Sequence, residues 1–234
     1  MKMNAQAAFP SGVWRAGEFE QAPRITHPTG HAALDRELPG GGWPTATLTE
    51  VLHDGAGLGE VKWLAAALAG AAQDERLIAW IDPPHLPYAP AIAQAAIPLE
   101  RCLVVRPLTH EDALWAAEQA LKSGACGAVL FWPERQAKSV DYAWMRRLQM
   151  AAEAGKAMAV LFRSTAASNQ PTPAHLRVVL ANEEGHLKIR IPKRRGPPLT
   201  QPIALHAVDR PRIADACAPT RRARVHLAVA AGHR

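Results

Sequence analysis

Five apolar runs separated by segments of helical character limit what this chain can fold into. The runs are Thr47–Leu52, Leu77–Asp82, Cys102–Arg106, Gly127–Trp132 and Met158–Arg163. Between them lie Glu60–Gln73 and Tyr88–Ile97, both rich in alanine, then Thr109–Ser123 and Ser139–Ala154. Thr109 is placed to accept a hydrogen bond from the backbone N–H of Asp112, and Gly124 to end that helix. Ser139 and Gly155 bracket the last one in the same way. Strand–helix–strand alternation with short connections predicts an α/β fold: a mostly parallel sheet covered by helices on both faces. The uninterrupted apolar runs Ala128–Phe131 and Ala159–Phe162 belong at its doubly covered centre.

After Arg163 the rhythm changes. Residues 164–173 form a polar loop without periodicity. Two alternating strands follow, with Leu176, Val178 and Leu180 on one face of the first and Leu187, Ile189 and Ile191 on one face of the second. Asn182–Gly185 reads as the hairpin turn. Arg177 falls opposite the apolar row, and Lys188 and Arg190 fall on the exposed face. These boundaries give an N-terminal segment, 1–28, a core, 29–206, and a basic, flexible tail, 207–234. The net charge of +6 is uneven, because residues 185–234 carry 11 basic and 2 acidic groups. Such a bias fits either an acidic partner or a solvated end. No apolar run is long enough to span a bilayer and no secretory leader is recognisable, so a cytoplasmic protein is expected. The three cysteines and ten histidines show no metal-ligand spacing. Cys102 and Cys126 read as buried small hydrophobes.

The first strand, Thr47–Leu52, runs into His53-Asp54-Gly55-Ala56-Gly57-Leu58-Gly59 and then a helix starting Glu60-Val61-Lys62. This is where ATP-binding α/β proteins wrap phosphate with backbone N–H groups, follow the last glycine with lysine, and hold magnesium with Ser or Thr. Gly55, Gly57 and Gly59 keep the loop, but Glu60 stands at the lysine position and Val61 at the hydroxyl position. A carboxylate there repels polyphosphate. Lys62 is two residues late, about 200° around a helix. The buried run Gly127–Phe131 ends in Trp132-Pro133 where a magnesium carboxylate is needed. Pro84, in Ile81-Asp82-Pro83-Pro84-His85, stands where a water-activating Glu would be, and proline can neither take a proton nor orient water. Asp82 reads as a turn residue. No catalytic residue, cofactor or metal is therefore expected.

These features carry a resemblance. Residues 29–163 resemble the RecA ATPase core, with Thr29-Gly30-His31-Ala32-Ala33-Leu34-Asp35 and Gly40-Gly41-Gly42-Trp43-Pro44 as the entering segment. Val13-Trp14-Arg15, Glu37–Pro44 and Gly57-Leu58-Gly59-Glu60 are similar to ImuA, the RecA-like, SulA-like accessory family of damage-induced mutagenesis, over about residues 12–206. The resemblance implies a role in SOS-induced translesion DNA synthesis, nucleoid association during damage, and an ImuB-type polymerase-like protein and RecA as partners. It carries over no catalytic residue.

Candidate contacts with partners or, weakly, with DNA are Trp14 and the basic residues Lys188, Arg190, Lys193, Arg194, Arg195, Arg221, Arg222 and Arg224. Trp14 reads rather as a clamp on its own domain than as an interface anchor, and the basic residues read equally as a solvated surface. Loop 164–173 lacks basic and aromatic residues, and Arg163 is the charge at its edge. Most of the seven tryptophans are expected in the core. Two other function classes stay open: a divergent DNA-dependent ATPase using Lys62, and a SulA-like inhibitor of cell division.

Overall fold

A computed structural model describes residues 25–54, 61–133, 140–183, 186–196, 199, 201–205 and 226–228. The described strands of the main sheet are β3 (Thr47–Leu52), β4 (Leu77–Ile81), β5 (Cys102–Val105), β6 (Cys126–Phe131), β7 (Met158–Arg163), β8 (Leu176–Glu183), β9 (His186–Lys193), β10 (Ile203–Leu205) and β11 (His226–Ala228). Their order is β10-β9-β8-β3-β7-β6-β4-β5-β11. The seven strands from β8 to β11 run parallel, and β9 and β10 join antiparallel at the other edge. Every residue of β3, β6 and β7 is buried, as a doubly covered centre requires.

Helices α1 (Ala32–Glu37), α2 (Ala65–Ala71) and α3 (Ala89–Gln94) cover one face. They close a core of Leu34, Trp43, Leu64, Leu68, Ile78, Trp80, Leu130, Val160 and Phe162. On the other face, α4 (His110–Lys122) and α5 (Tyr142–Gly155) lie over β3, β4, β6 and β7, burying Leu114, Leu121, Val129, Met145, Leu148 and Leu161. The Thr109 hydroxyl accepts from the Asp112 N–H at 3.1 Å, so the expected cap forms.

Other boundaries differ from the sequence reading. The helix cap expected at Ser139 is supplied by Asp141, whose carboxylate accepts from the Trp144 N–H at 2.8 Å; Ser139 itself lies outside the described residues. Gly155 is the last residue of α5 rather than a stop beyond it, and the left-handed turn falls on Lys156 (φ 51°). Glycine is needed at 155 because a Cβ would lie 1.8 Å from the Leu121 carbonyl oxygen of α4. The segment expected helical over 60–73 opens with a 3-10 turn, Lys62–Leu64, before α2.

Short strands also lie outside the expected core limits, 29 and 206. Thr26 and His27 form β1, paired with β2 (Trp43–Pro44) in a small antiparallel sheet. Gly42 permits this approach, since a Cβ there would sit 2.4 Å from the His27 carbonyl oxygen. The lead segment is fixed by Asp35, whose carboxylate accepts the Thr29 N–H at 2.8 Å, which explains a Thr-to-Asp spacing of six. At the far edge His226–Ala228, expected in a flexible tail, pair in parallel with β5. Backbone pairing satisfies groups that an open edge strand leaves bare. Cys102 and Cys126 are buried, and burial pushes the Cys102 thiol up to about 11. Trp115 lies within α4 but is 60% exposed, not in the core expected for most of the tryptophans.

Candidate functional site

The chain leaves β4 outward to β5 and leaves β6 inward to β7, so the carboxyl ends of β4 and β6 form the switch point at which open α/β sheets hold ligands. The exits are aligned by backbone bonds: the Trp132 N–H donates to the Ile81 carbonyl at 3.1 Å, and the His53 N–H to the Arg163 carbonyl at 2.9 Å. An aromatic layer fills the helix α2 side of this edge. The rings of Trp132 and Phe162 stack at 4.4 Å and 2°, and Trp80 lies parallel to Trp132 at 6.1 Å and 5°. His53 meets Phe162 edge-on at 5.9 Å. Trp132, at the position where a magnesium site needs a carboxylate, is only 7% exposed. Asp82 is buried and turns the chain with φ 51°, and Pro84 is exposed beyond it.

Gly55, Gly57, Gly59 and Glu60 lie outside the described residues, as do Trp14, Arg221, Arg222 and Arg224. Lys62 is exposed and lines a cleft of about 660 Å³ with Val61, Trp80, Tyr88 and Ile92, between the start of the α2 segment and α3. Among the described residues no cluster of His, Cys, Asp or Glu could hold a metal ion, and no helix is long and apolar enough to cross a membrane.

Two sets of bonds that sequence reading missed bind the segment after β7, residues 164–175, as a strap across the sheet. At its start, Asp54 accepts from the Ser164 hydroxyl at 3.1 Å, from the Thr165 N–H at 3.0 Å and from the Thr165 hydroxyl. These bonds, the Thr165 hydroxyl first, hold the Asp54 carboxyl below the usual carboxylate range. A lowered pKa adds stability that is present above the ordinary carboxylate value and lost as pH falls through the lowered one. Asp54→Asn should therefore melt below the wild type at pH 7, the gap closing below about pH 4. Thermal melts at both pH values check this, and a gap independent of pH contradicts it.

Beneath the strap lies a buried ionic cluster. Glu50 on β3 accepts from the Arg163 guanidinium at 2.8 Å and from Arg177 Nε at 2.7 Å, its side chain fully enclosed. Other donors of the two guanidiniums hold the strap: Arg163 reaches the Gln170 side chain at 2.6 Å, and Arg177 donates to the carbonyls of Ser168 and Gln170 at 2.8 and 2.9 Å. Arg163, expected at the edge of an open loop, is thus interior. Arg177 does point away from the apolar row, but into this cluster.

The basic residues of the hairpin divide between two faces. Arg177, Val179 and Ala181 oppose Lys193, Arg190 and Lys188 respectively, so these three cations share one face. Ile189 and Ile191 are buried on the other. Arg190 and Lys193 are exposed, and Lys193 donates to the Thr172 carbonyl at 2.8 Å. Burial, then the Arg177 charge, keep the Lys193 ammonium below the usual lysine range. Arg194 turns to α1 and bonds the carbonyl and, at 3.0 Å, the carboxylate of Glu37. Arg195 is exposed beside Pro39 and Pro44.

Residues 50–159 match the family model of the cell division inhibitor SulA. The chain is also similar to RecA proteins. It is 30% identical over 118 residues to RecA of Clavibacter michiganensis subsp. michiganensis, covering 50% of this chain and 32% of that protein. With RecA of Amycolatopsis mediterranei it is 33% identical over 113 residues, covering 48% and 32%. With RecA of a Nocardioides species it is 28% identical over 128 residues, covering 54% and 36%. The matched part of the chain spans about a third of the length of these curated relatives. With a largely parallel sheet covered on both faces, a segment that fits SulA, and a likeness to RecA over half its length, the chain is a RecA-like, SulA-like α/β protein.

Proposed function

We propose that the chain is a non-catalytic accessory protein of damage-induced translesion DNA synthesis, an ImuA-type protein that acts by holding partners. The observation that carries this reading is Trp132, stacked between Trp80 and Phe162 at the switch point, where a nucleotide hydrolase would place its magnesium carboxylate. Pro84 in place of a water-activating carboxylate and Glu60 in place of the phosphate lysine support it from sequence. The partners that the resemblance implies are an ImuB-type polymerase-like protein and RecA, with weak DNA contact through the basic surface. The chain would act in the cytoplasm, at the nucleoid during damage.

The match to SulA favours a second reading, inhibition of cell division. One genetic experiment separates the two from each other and from a divergent ATPase. In a host lacking the chain, ultraviolet-induced mutation frequency should fall, and both the wild type and Lys62→Ala should restore it. Restoration by the wild type alone would favour an ATPase. Unchanged mutagenesis, with division no longer arrested after damage, would favour the SulA-like role.

A further inference from the structure

The cleft of about 660 Å³ between the start of the α2 segment and α3 is walled by core side chains. Trp80, Ile92 and Ile97 belong to the buried core and also line the cleft. The Trp80 ring is braced by Trp132, parallel to it at 6.1 Å, so this wall is formed before anything binds. Ala65, Ala91 and Ala95 add small side chains that keep the space open. At the margin Tyr88 is 71% exposed, and Leu86, next in the chain to the lining residue Pro87, is 61% exposed. Lys62 is the one charged side chain on the described lining, and it is exposed. Among the described residues no carboxylate lies within ion-pairing distance of it. A concave apolar surface edged by large exposed side chains marks a place that something else covers.

We infer that this cleft holds an amphipathic helix of a partner protein, with two apolar side chains one turn apart seated against Trp80, Ile92 and Ile97 and a carboxylate placed at Lys62. The inference rests on the reading of the chain as a partner-holding protein and names the chemistry of one partner segment. The lining comes mostly from the α2 segment, α3 and the turns beside it, and it offers no open strand edge. An extended peptide entering it would leave backbone groups unpaired against apolar walls, which is costly. A helix satisfies its own backbone and brings only side chains. Side chains four apart on a helix are neighbours, about 5–6 Å between Cβ atoms, a pair that a cavity of this size admits together. The apolar surface continues past the mouth at Leu86 and Tyr88, farther than a compact ligand would cover. The cation at the edge sets the sign of the flanking residue. Because Lys62 is exposed, its ion pair adds specificity and little affinity, so Lys62→Ala still restores mutagenesis.

Fluorescence anisotropy with the full-length chain tests this, using two labelled helical peptides of Ala, Gln, Leu and Glu. One has its two Leu residues four apart and Glu one turn further on. The other has the same composition with the Leu residues two apart, where they do not share a face. The first should bind saturably and the second about tenfold more weakly. Ala91→Glu, at an exposed lining position, should weaken the first peptide about tenfold by obstruction and like charge. Ala93→Glu, exposed on the same helix but off the lining, should leave it unchanged. Lys62→Gln should weaken it about threefold at low salt and less at high salt. Equal binding of the two peptides, equal effects of the two α3 variants, an unchanged Lys62→Gln, or no saturable binding at millimolar peptide would each overturn the inference and leave the mutagenesis outcome as it stands. Displacement of the peptide by micromolar magnesium ATP would overturn it too, and that result alone would also count against the proposed function, so the two failures are distinguishable.

Discussion

Glu50→Ala should lower the unfolding free energy by about 3–5 kcal/mol, the range for removing one partner of a buried ionic group. The size follows from what is left behind. Arg163 and Arg177 are both buried, and both direct nitrogens at the one carboxylate. Without it two buried guanidiniums lose the carboxylate they share, and breaking a buried ionic contact by removing one partner is costly. A companion variant separates charge balance from packing. Glu50→Leu together with Arg163→Met and Arg177→Leu should recover most of the loss, because a well-packed apolar set is often as stable as a buried ion cluster. It should also release the strap, whose carbonyls at Ser168 and Gln170 would lose their donor. Urea unfolding of the three proteins, with hydrogen exchange at residues 165–171, gives both readings. A loss under about 1 kcal/mol for Glu50→Ala would mean that water reaches the cluster.

Trp132→Ala should cost about 3–5 kcal/mol, as large-to-small changes at buried aromatic positions do. The ring stacks parallel to Phe162 at 4.4 Å and belongs to the core that β6 and β7 share. Part of the cost is lost stacking, worth about 0.5–1.5 kcal/mol per aromatic pair beyond area. Trp132→Phe should therefore keep more than half of the stability. The same variant carries a functional expectation. Opening this space should not create ATP binding, since the sequence has Glu60 at the phosphate-lysine position and Val61 at the hydroxyl position. Chemical denaturation measures the first effect and nucleotide titration of the refolded variant the second. A nearly neutral Trp132→Ala would mean that the layer is not tightly packed.

Local signals in the sequence located much of this architecture. β3 and β7 are uninterrupted apolar runs, and their limits, Thr47–Leu52 and Met158–Arg163, coincide with the strands. The Thr109 cap fixed the start of α4 because its bond spans three residues. What stayed hidden depends on distant pairs. Glu50 reads as one polar residue in a strand, while its partners are 113 and 127 positions away. The aromatic layer draws Trp80 from β4, Phe162 from β7 and Trp132 from the residue after β6, so no window of sequence contains it. Trp115 follows Leu114 by one residue, about 100° around the helix. That step takes it off the face that buries His110, Ala113, Leu114, Ala117, Glu118 and Leu121. β11 is three residues long in a strongly basic stretch and pairs through backbone, which composition does not reveal. Among the hairpin cations, the face of Lys188 and Arg190 was legible from alternation. The division of the cations between two faces was not, because an irregularity between β8 and β9 moves Lys193 onto the face of Arg190 and leaves Arg194 facing α1.

The claim that this RecA-like protein works without nucleotide is tested most directly by titrating the full-length chain with magnesium and ATP in a calorimeter, alongside Lys62→Ala. A carboxylate at the lysine position and a tryptophan layer at the switch point predict no saturable heat for either protein, even at millimolar ATP. Saturable micromolar binding that disappears in Lys62→Ala would contradict it.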